Sequence, residues 1–407
     1  MIRAALLAAL AAPAWAEAPG ASPRPAMRAE APAGAEPFAA WRAGLRDRAV
    51  AGGVDGAAFD RVMRGVRPLP DVVRRDRSQN EFTKTLWDYM GTATSEARIS
   101  NGRRAFDRHR AALERVERET GVDAHVVAAI WGLESAYGAF RGTTRTAAAL
   151  ATLAHDGRRR AFFEEQLLAF VRIVAEGAVG PGAEGSWAGA MGHTQFMPLS
   201  YAEHAVDGDG DGDVDVWGDD PADALMSTGA YLAFHGWVPG QPWGVEVRLP
   251  PGFDIALTGE PRTKSAAEWE ALGVRGVGGP LPPGEGVSIR LPGGAGHTAL
   301  ATYPNFRVIE SYNTADAYVI AVGHLADRIR GGAPFRGTWP EDRALSFDER
   351  VEMQTRLRAA GHDPEKLDGR VGPLTLEAIR GWQASVGLAP DGYMGPALLE
   401  RLRAATE

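Results

Sequence analysis

The 407-residue chain contains no cysteine. That absence excludes disulfides, thiolate catalysis, cysteine-based zinc sites and lipid attachment to an N-terminal cysteine. Lysine is scarce: Lys84, Lys264 and Lys366 stand among many arginines. A formal net charge of -8 argues against a nucleic-acid polyanion as the main partner. Long hydrophobic runs are missing as well. No segment reaches the ~20 apolar residues that span a bilayer, so the mature protein is expected to be soluble; a monomer is also expected. Hydrophobic residues nevertheless make up 45% of the chain, enough for real cores and too many for disorder. The length suggests two or three domains.

The N-terminus "MIRAALLAALAAPAWAEAPG" carries one arginine, a short apolar run and a small-x-small site at Ala14 to Ala16. This predicts a secretory signal over 1–16 and a periplasmic location. Residues 17–37 are rich in Ala, Pro and Gly and read as a flexible leader. From Phe38 to about Tyr201 the periodicity is helical, and a second helical stretch follows Asp220. Residues 240 to about 305 change character: Gly and Pro are frequent and short runs such as "GVEVRLP" and "GVSIRLP" alternate, which predicts a small β-rich insertion. Helical patterning returns at "AYVIAVGHLADRIRGG", and a linker is expected over 331–345.

The last sixty or so residues contain a weak repeat. "LRAAGHDPEKLDGRVGPLTLEAI" is echoed by "WQASVGLAPDGYMGPALLERL", each with a D-G-x-x-G turn before a helix. With both turns in order, residues 346–404 resemble the three-helix bacterial peptidoglycan-binding domain. The resemblance implies a wall-anchoring role.

In "DAHVVAAIWGLESAYGAFRG", Val127, Ile130, Leu133 and Tyr137 are expected on one helical face, with Glu134 projecting from the same stripe. A carboxyl group there is desolvated, which favours its protonated form and suits a general acid. Pattern alone leaves open a structural ion pair with Arg141 or Arg145.

Together with "AGAMGHTQFMPLSY", "DRSQNEFTKTLWDYM" and "YNTADAYVIAVGHLADRI", that helix resembles the membrane-bound lytic murein transglycosylase B family over nearly all of residues 38–330. The fold class implied is mainly α, of the α+β kind. It comprises a lysozyme-like helical catalytic core over 38–330 with the β-rich insertion, plus the C-terminal three-helix module. The activity implied is non-hydrolytic cleavage of the MurNAc-GlcNAc β-1,4 bond of peptidoglycan, giving 1,6-anhydroMurNAc ends. Glu134 matches the family's single acid/base. Ser186, Gln195, Tyr231, Tyr312, Asn313 and Tyr318 match substrate-groove positions, and Arg159 falls near the glycan or stem peptide. The chain departs from the family name in having no cysteine for a lipid anchor. His193 is expected at the surface or groove rim, with no catalytic part. A hydrolytic muramidase and a non-catalytic wall-binding scaffold are the rival readings; the intact Glu134 speaks against the second.

The run "DGDGDGDVDVWGDD" has seven aspartates and no base. Against the EF-hand pattern, Asp207, Asp209 and Asp211 take positions one, three and five, Gly212 six and Asp213 seven. Carboxylate oxygens at this density suit Ca²⁺, in a structural role. Position twelve is Gly218, where a bidentate Glu belongs. The similar family loop is longer, which implies Asp223 as the closing ligand, with Asp219 and Asp220 as fallbacks and Asp220 the better helix cap. No organic cofactor is expected.

Overall fold

The computed structural model describes residues 36–77 and 84–406. The signal segment, all but the end of the leader, and part of the "DRSQNEFTKTLWDYM" motif lie outside the described residues. Among those described, no helix is long and apolar enough to cross a membrane.

Two helical cores lie side by side. The chain first lays down α1 (Phe38–Ala51), α2 (Gly56–Val62) and α3 (Pro70–Arg77), then α4 (Leu86–Ala93), α5 (Glu96–Arg108), α6 (Arg110–Thr120) and α7 (Ala124–Ser135). After the short strand β1 (Thr144–Arg145) come α8 (Thr146–Asp156) and α9 (Arg160–Glu176). Strand β2 (Glu184–Gly185) pairs back onto β1, and α10 (Pro198–His204) and α11 (Ala222–Phe234) follow. Helices α1–α3 and α8–α10 enclose one core around Trp41, Phe59, Phe163 and Phe170. Helices α4–α7 and α11 supply the other, around Ile130, Trp131 and Leu225.

The insertion is a four-stranded antiparallel sheet built from β3 (Gly244–Arg248), β4 (Arg275–Gly276), β5 (Ser288–Arg290) and β6 (Ala299–Thr302), in the order β4-β3-β6-β5. Helix α12 (Ala266–Ala271) precedes β4, starts with a Ser265–Glu268 capping box and buries Trp269 against the sheet. Helices α13 (Pro304–Tyr312) and α14 (Asp316–Arg330) then return to the second helical core. The last module has its own core from α15 (Phe347–Ala359), α16 (Pro373–Ser385) and α17 (Pro396–Thr406).

Helix α7 departs from the amphipathic stripe that its spacing predicts. Nine of its twelve residues are buried, so it is enclosed on nearly every side rather than on one face. Periodicity cannot separate the two cases when the sequence is apolar all round. Tyr137 is also not on that face, because the helix ends at Ser135. The chain then turns back, and the Tyr137 ring packs against Gly132, where an added Cβ would lie 2.5 Å from its Cζ.

Residues 331–345 have no regular structure, but they are tied down. The backbone N–H of Arg336 donates to Glu246 on β3 (2.9 Å), and that of Thr298 donates to the carbonyl of Thr338 (3.0 Å). The C-terminal module is in turn fixed to the insertion. Arg380 donates to the carbonyl of Thr258 (2.8 Å), and Arg262 forms a two-pronged pair with Glu377 (2.9 and 3.1 Å).

Candidate active site

Glu134 is the penultimate residue of α7 and half-buried. Immediately after it the backbone reverses: Ala136 and Tyr137 take left-handed conformations, with φ of 50° and 62°. Such positions cost of order 1–2 kcal/mol each for residues with a Cβ, so something must hold them. The Ser135 hydroxyl donates to the carbonyl of His193 (2.5 Å) and accepts from the N–H of Gly138 (2.9 Å). The Tyr137 hydroxyl donates to the carbonyl of Arg98 (3.0 Å). The reversal leaves Glu134 at an edge of the buried helix, where its carboxyl group can meet a ligand.

A partner comes from α14: the Tyr318 hydroxyl donates to Glu134 Oε1 at 2.6 Å. Burial, and then the Glu134 charge, push the Tyr318 phenol well above its ordinary pKa, so it keeps its proton and acts as a donor. The Tyr318 ring is buried in the helical core and does not form an open platform. Tyr312 is raised in the same way, by burial and then by Glu134, and its hydroxyl donates to the carbonyl of Thr194 (2.6 Å). Tyr231 donates to the carbonyl of Ser311 (2.8 Å), and its ring meets Tyr312 edge-on at 5.3 Å. Phe196 lies 5.9 Å from both rings. Tyr231 and Tyr312 pack against both helical cores, so the tyrosine wall stands at their junction. The alternative of an Arg141 or Arg145 ion pair is disfavoured: the Arg141 guanidinium reaches the carbonyls of Trp217 and Gly218, and that of Arg145 reaches Val62, Arg64 and Pro181.

The loop "GSWAGAMGHTQFMP" closes the other side. Ser186 Oγ accepts the N–H groups of Ala188 and Ala190, which shapes the turn and leaves its O–H to donate. Gln195, at φ 57°, donates through Nε2 to the carbonyls of Gly192 (2.8 Å) and Arg141 (3.2 Å), leaving Oε1 as an acceptor. Asn313 is exposed on the loop into α14, its Oδ1 accepting from Ala315. Arg159 lies in a different cluster. With Arg158 it grips the buried Asp76 (3.0 Å), and its guanidinium lies 4.6 Å from the centre of the Phe163 ring. Burial works against ionising Asp76, but the two arginines outweigh it and hold the carboxyl below its ordinary range.

His193 corrects the expectation of a rim residue. It is 4% exposed, and burial lowers its pKa. Trp131 Nε1–H donates to its Nδ1 (3.2 Å), which leaves Nε2 to donate to the carbonyl of Gly218 (2.8 Å). His193 thus ties the Glu134 helix to the end of the acidic loop. A single histidine in a loop gives no sequence signal for such a place, and Phe196 and Trp131 were equally silent.

In the acidic loop, Asp207, Asp209 and Asp211 bring carboxylate oxygens within 4.8 Å of one another. Each also accepts backbone N–H groups from the residues that follow, so the loop is shaped by its own aspartates. The exposed Asp213 is not in this cluster. Asp223, implied as the closing ligand, lies outside this group of three. It is buried and accepts the N–H groups of Gly208 (2.7 Å), Asp209 (3.3 Å) and Asp215 (2.7 Å). It anchors the loop from α11. Asp220 accepts the N–H of Ala222, the first residue of α11, although Pro221 is the N-cap residue, and Asp219 faces Arg141.

The transglycosylase SLT domain model matches residues 37–327, and the peptidoglycan binding domain model matches residues 347–402. Membrane-bound lytic murein transglycosylase B of Escherichia coli (strain K12) is 34% identical over 241 residues, which is 57% of this chain and 63% of that protein. The chain therefore spans under two thirds of that relative's length. SltB3 from Pseudomonas aeruginosa, in complex with NAG-anhNAM-pentapeptide, is 46% identical with a TM-score of 0.86, covering 91% of this chain and all of that one. Escherichia coli Slt35 in complex with calcium is 30% identical with a TM-score of 0.62, covering 71% of this chain and 92% of that one.

Tyr318→Phe should lower turnover roughly tenfold, the worth of one hydrogen bond to the Glu134 carboxyl group, with KM little changed. Steady-state kinetics on soluble strands checks this; a loss carried by KM alone would contradict it.

Proposed function

The chain belongs to the transglycosylase SLT domain family, and from that premise we propose that it cleaves the MurNAc-GlcNAc β-1,4 bond of peptidoglycan to leave a 1,6-anhydroMurNAc end. The observation that carries this reading is the Glu134 carboxyl group, held by the protonated phenol of Tyr318 at the junction of two helical cores. Glu134 protonates the glycosidic oxygen as its bond to C1 breaks, and the GlcNAc portion leaves with that proton as its 4-hydroxyl. The neighbouring acetamido oxygen supports C1 meanwhile. The Glu134 carboxylate then takes the proton of the muramic C6 hydroxyl, and O6 bonds to C1. No water is consumed and Glu134 ends protonated, ready for another cycle. One residue therefore does acid and base work in turn, without a second carboxylate as nucleophile.

The tyrosine wall suits this chemistry. Tyr231 and Tyr312 offer rigid apolar area to a sugar ring and keep water from C1. Ser186, Gln195 and Asn313 have polar groups available for acetamido and hydroxyl groups, and Arg159 would meet the strand or its peptide from the Asp76 cluster. The complex of SltB3 with an anhydromuramyl product supports the product class. A peptidoglycan-acting enzyme works in the wall space, which fits periplasmic export by the 1–16 signal, and the C-terminal module would hold it to the wall.

The cluster of Asp207, Asp209 and Asp211 fits a calcium ion, and the calcium complex of Slt35 supports that choice. Asp213 would add its backbone carbonyl, while Asp223 fixes the loop. A bound cation would neutralise the facing carboxylates and stiffen the segment that His193 and Arg141 connect to the groove.

Wild-type protein incubated with purified sacculi should release anhydro-muropeptides, one water lighter than hydrolysed products by mass spectrometry, and Glu134→Gln should release none. Hydrolysed products from wild type would favour a muramidase, and activity in the variant would remove Glu134 from the mechanism. Calcium should raise the melting temperature, about 2–4 °C for each kcal/mol of linkage, and Asp209→Ala should abolish the rise. An unchanged melting temperature in wild type would leave the run as a solvated acidic loop.

A further inference from the structure

Glu134 works twice in the cycle proposed above, and both times its carboxyl group must sit at one place. It reaches the glycosidic oxygen first and the C6 hydroxyl afterwards, and a misplacement of about 1 Å can cost a hundredfold in rate. Tyr318 holds one carboxyl oxygen directly. The backbone beneath needs its own support, because α7 ends one residue later in the left-handed reversal.

His193 supplies that support on three sides. Its ring Nδ1 accepts the Trp131 Nε1–H (3.2 Å), three residues before Glu134. Its backbone carbonyl accepts the hydroxyl of Ser135 (2.5 Å), the residue after Glu134. Its ring also lies against the reversal itself, where a Cβ added at Gly138 would come 2.5 Å from Nδ1. The ring is 4% exposed, too little to meet a sugar. Burial lowers the pKa of the imidazole, and the Arg141 charge acts in the same direction. A neutral ring has one acceptor and one donor, and the Trp131 bond fixes which nitrogen is which.

The donor side leads out to the acidic loop. His193 Nε2 donates to the carbonyl of Gly218 (2.8 Å), and its backbone N–H donates to the carbonyl of Val216 (3.0 Å). Between these two, the carbonyl of Trp217 accepts from Arg141 (2.8 Å). Three successive carbonyls are therefore taken by His193 and Arg141. Asp215 shapes the turn that presents them. Its Oδ1 accepts the N–H groups of Trp217 (2.8 Å) and Gly218 (2.9 Å), and its own N–H donates to Asp223 on α11 (2.7 Å). Asp215 is exposed and lies outside the group formed by Asp207, Asp209 and Asp211.

We propose that His193 is a positioning residue for Glu134, with the turn at 215–218 as its outer anchor, so that an exposed side chain of the acidic loop sets the rate of bond cleavage without touching substrate. The bridge runs from Asp215 to Gly218, then to His193, then to Trp131 and Ser135 on either side of Glu134. The groups that hold the sugar lie elsewhere, so kcat carries the effect and KM does not. Glutamine can take the place of the imidazole, since its amide also offers an acceptor beside a donor; leucine fills space and offers neither. The assignment rests on Glu134 being the acid and base.

The test is steady-state kinetics on soluble glycan strands with the full chain, together with hydrogen exchange. His193→Leu should lower kcat by about ten- to a hundredfold with KM little changed, and His193→Gln should restore most of the loss. Asp215→Ala should lower kcat in the same way, while Asp215→Asn, which keeps an accepting oxygen, should stay near wild type. Joining His193→Leu to Asp215→Ala should add little to the larger single loss, because both break one bridge. Amides 136–140 should exchange faster in the leucine and alanine variants and not in the glutamine and asparagine ones. If His193→Leu fails to fold by circular dichroism, the exposed Asp215 pair carries the test alone. A loss carried by KM, losses that multiply in the double variant, conservative variants as poor as the others, or unchanged exchange would each overturn the proposal. Failure of the Glu134 reading would appear separately, as activity in Glu134→Gln, and leaves the exchange pattern untouched.

Discussion

A hydrogen bond between two helices far apart in the chain, from Tyr318 on α14 to Glu134 on α7, is the contact on which the site depends. Its two ends come from different motifs, and the intervening fold serves to bring them within 2.6 Å. Helix α7 must be buried almost completely to fix one end, and a buried helix that then stops within one residue needs the left-handed reversal at Ala136 and Tyr137. The reversal is held by Ser135 against His193, and His193 by Trp131 and Gly218. The groove loop, the acidic loop and the Glu134 helix are therefore one mechanically connected unit.

The parts of this that could be read beforehand share a physical basis. Glu134 stands out in the sequence because a carboxylate amid apolar residues is costly to bury, and because the motifs around it resemble a known family. The turns of the C-terminal repeat were legible from Asp-Gly chemistry. The insertion was legible because its composition changes abruptly. What escaped was geometry set by tertiary contacts. An all-round apolar helix gives no face, so Tyr137 was assigned to a helix that had already ended. His193 could be rated only as a polar residue in a loop, and its burial depends on Trp131 and on a carbonyl twenty-five residues further on. The N–H groups that the loop donates to Asp223 are likewise set by tertiary contacts and gave no signal in the sequence.

The insertion contacts both the helical core and the C-terminal module. It is tied to the helical core through Trp243, whose indole donates to Asp327 (3.0 Å), and through Arg290, which pairs with Asp316 (3.0 Å) at the start of α14. On its other side it carries the C-terminal module. Burial raises Asp327 to about 6, so the Trp243 contact is made to a carboxyl that titrates near neutral pH. The C-terminal module and the loop beside Tyr318 are thus joined through one small sheet, to which residues 331–345 are also pinned.

The central claim is that Glu134 passes its base function to the muramic C6 hydroxyl and never to water. Running the cleavage in water enriched in oxygen-18 and analysing the released muramyl ends by mass spectrometry tests it most directly. The account predicts unlabelled anhydro ends throughout. Oxygen-18 at the muramic C1 of primary products, appearing as fast as cleavage itself, would contradict it.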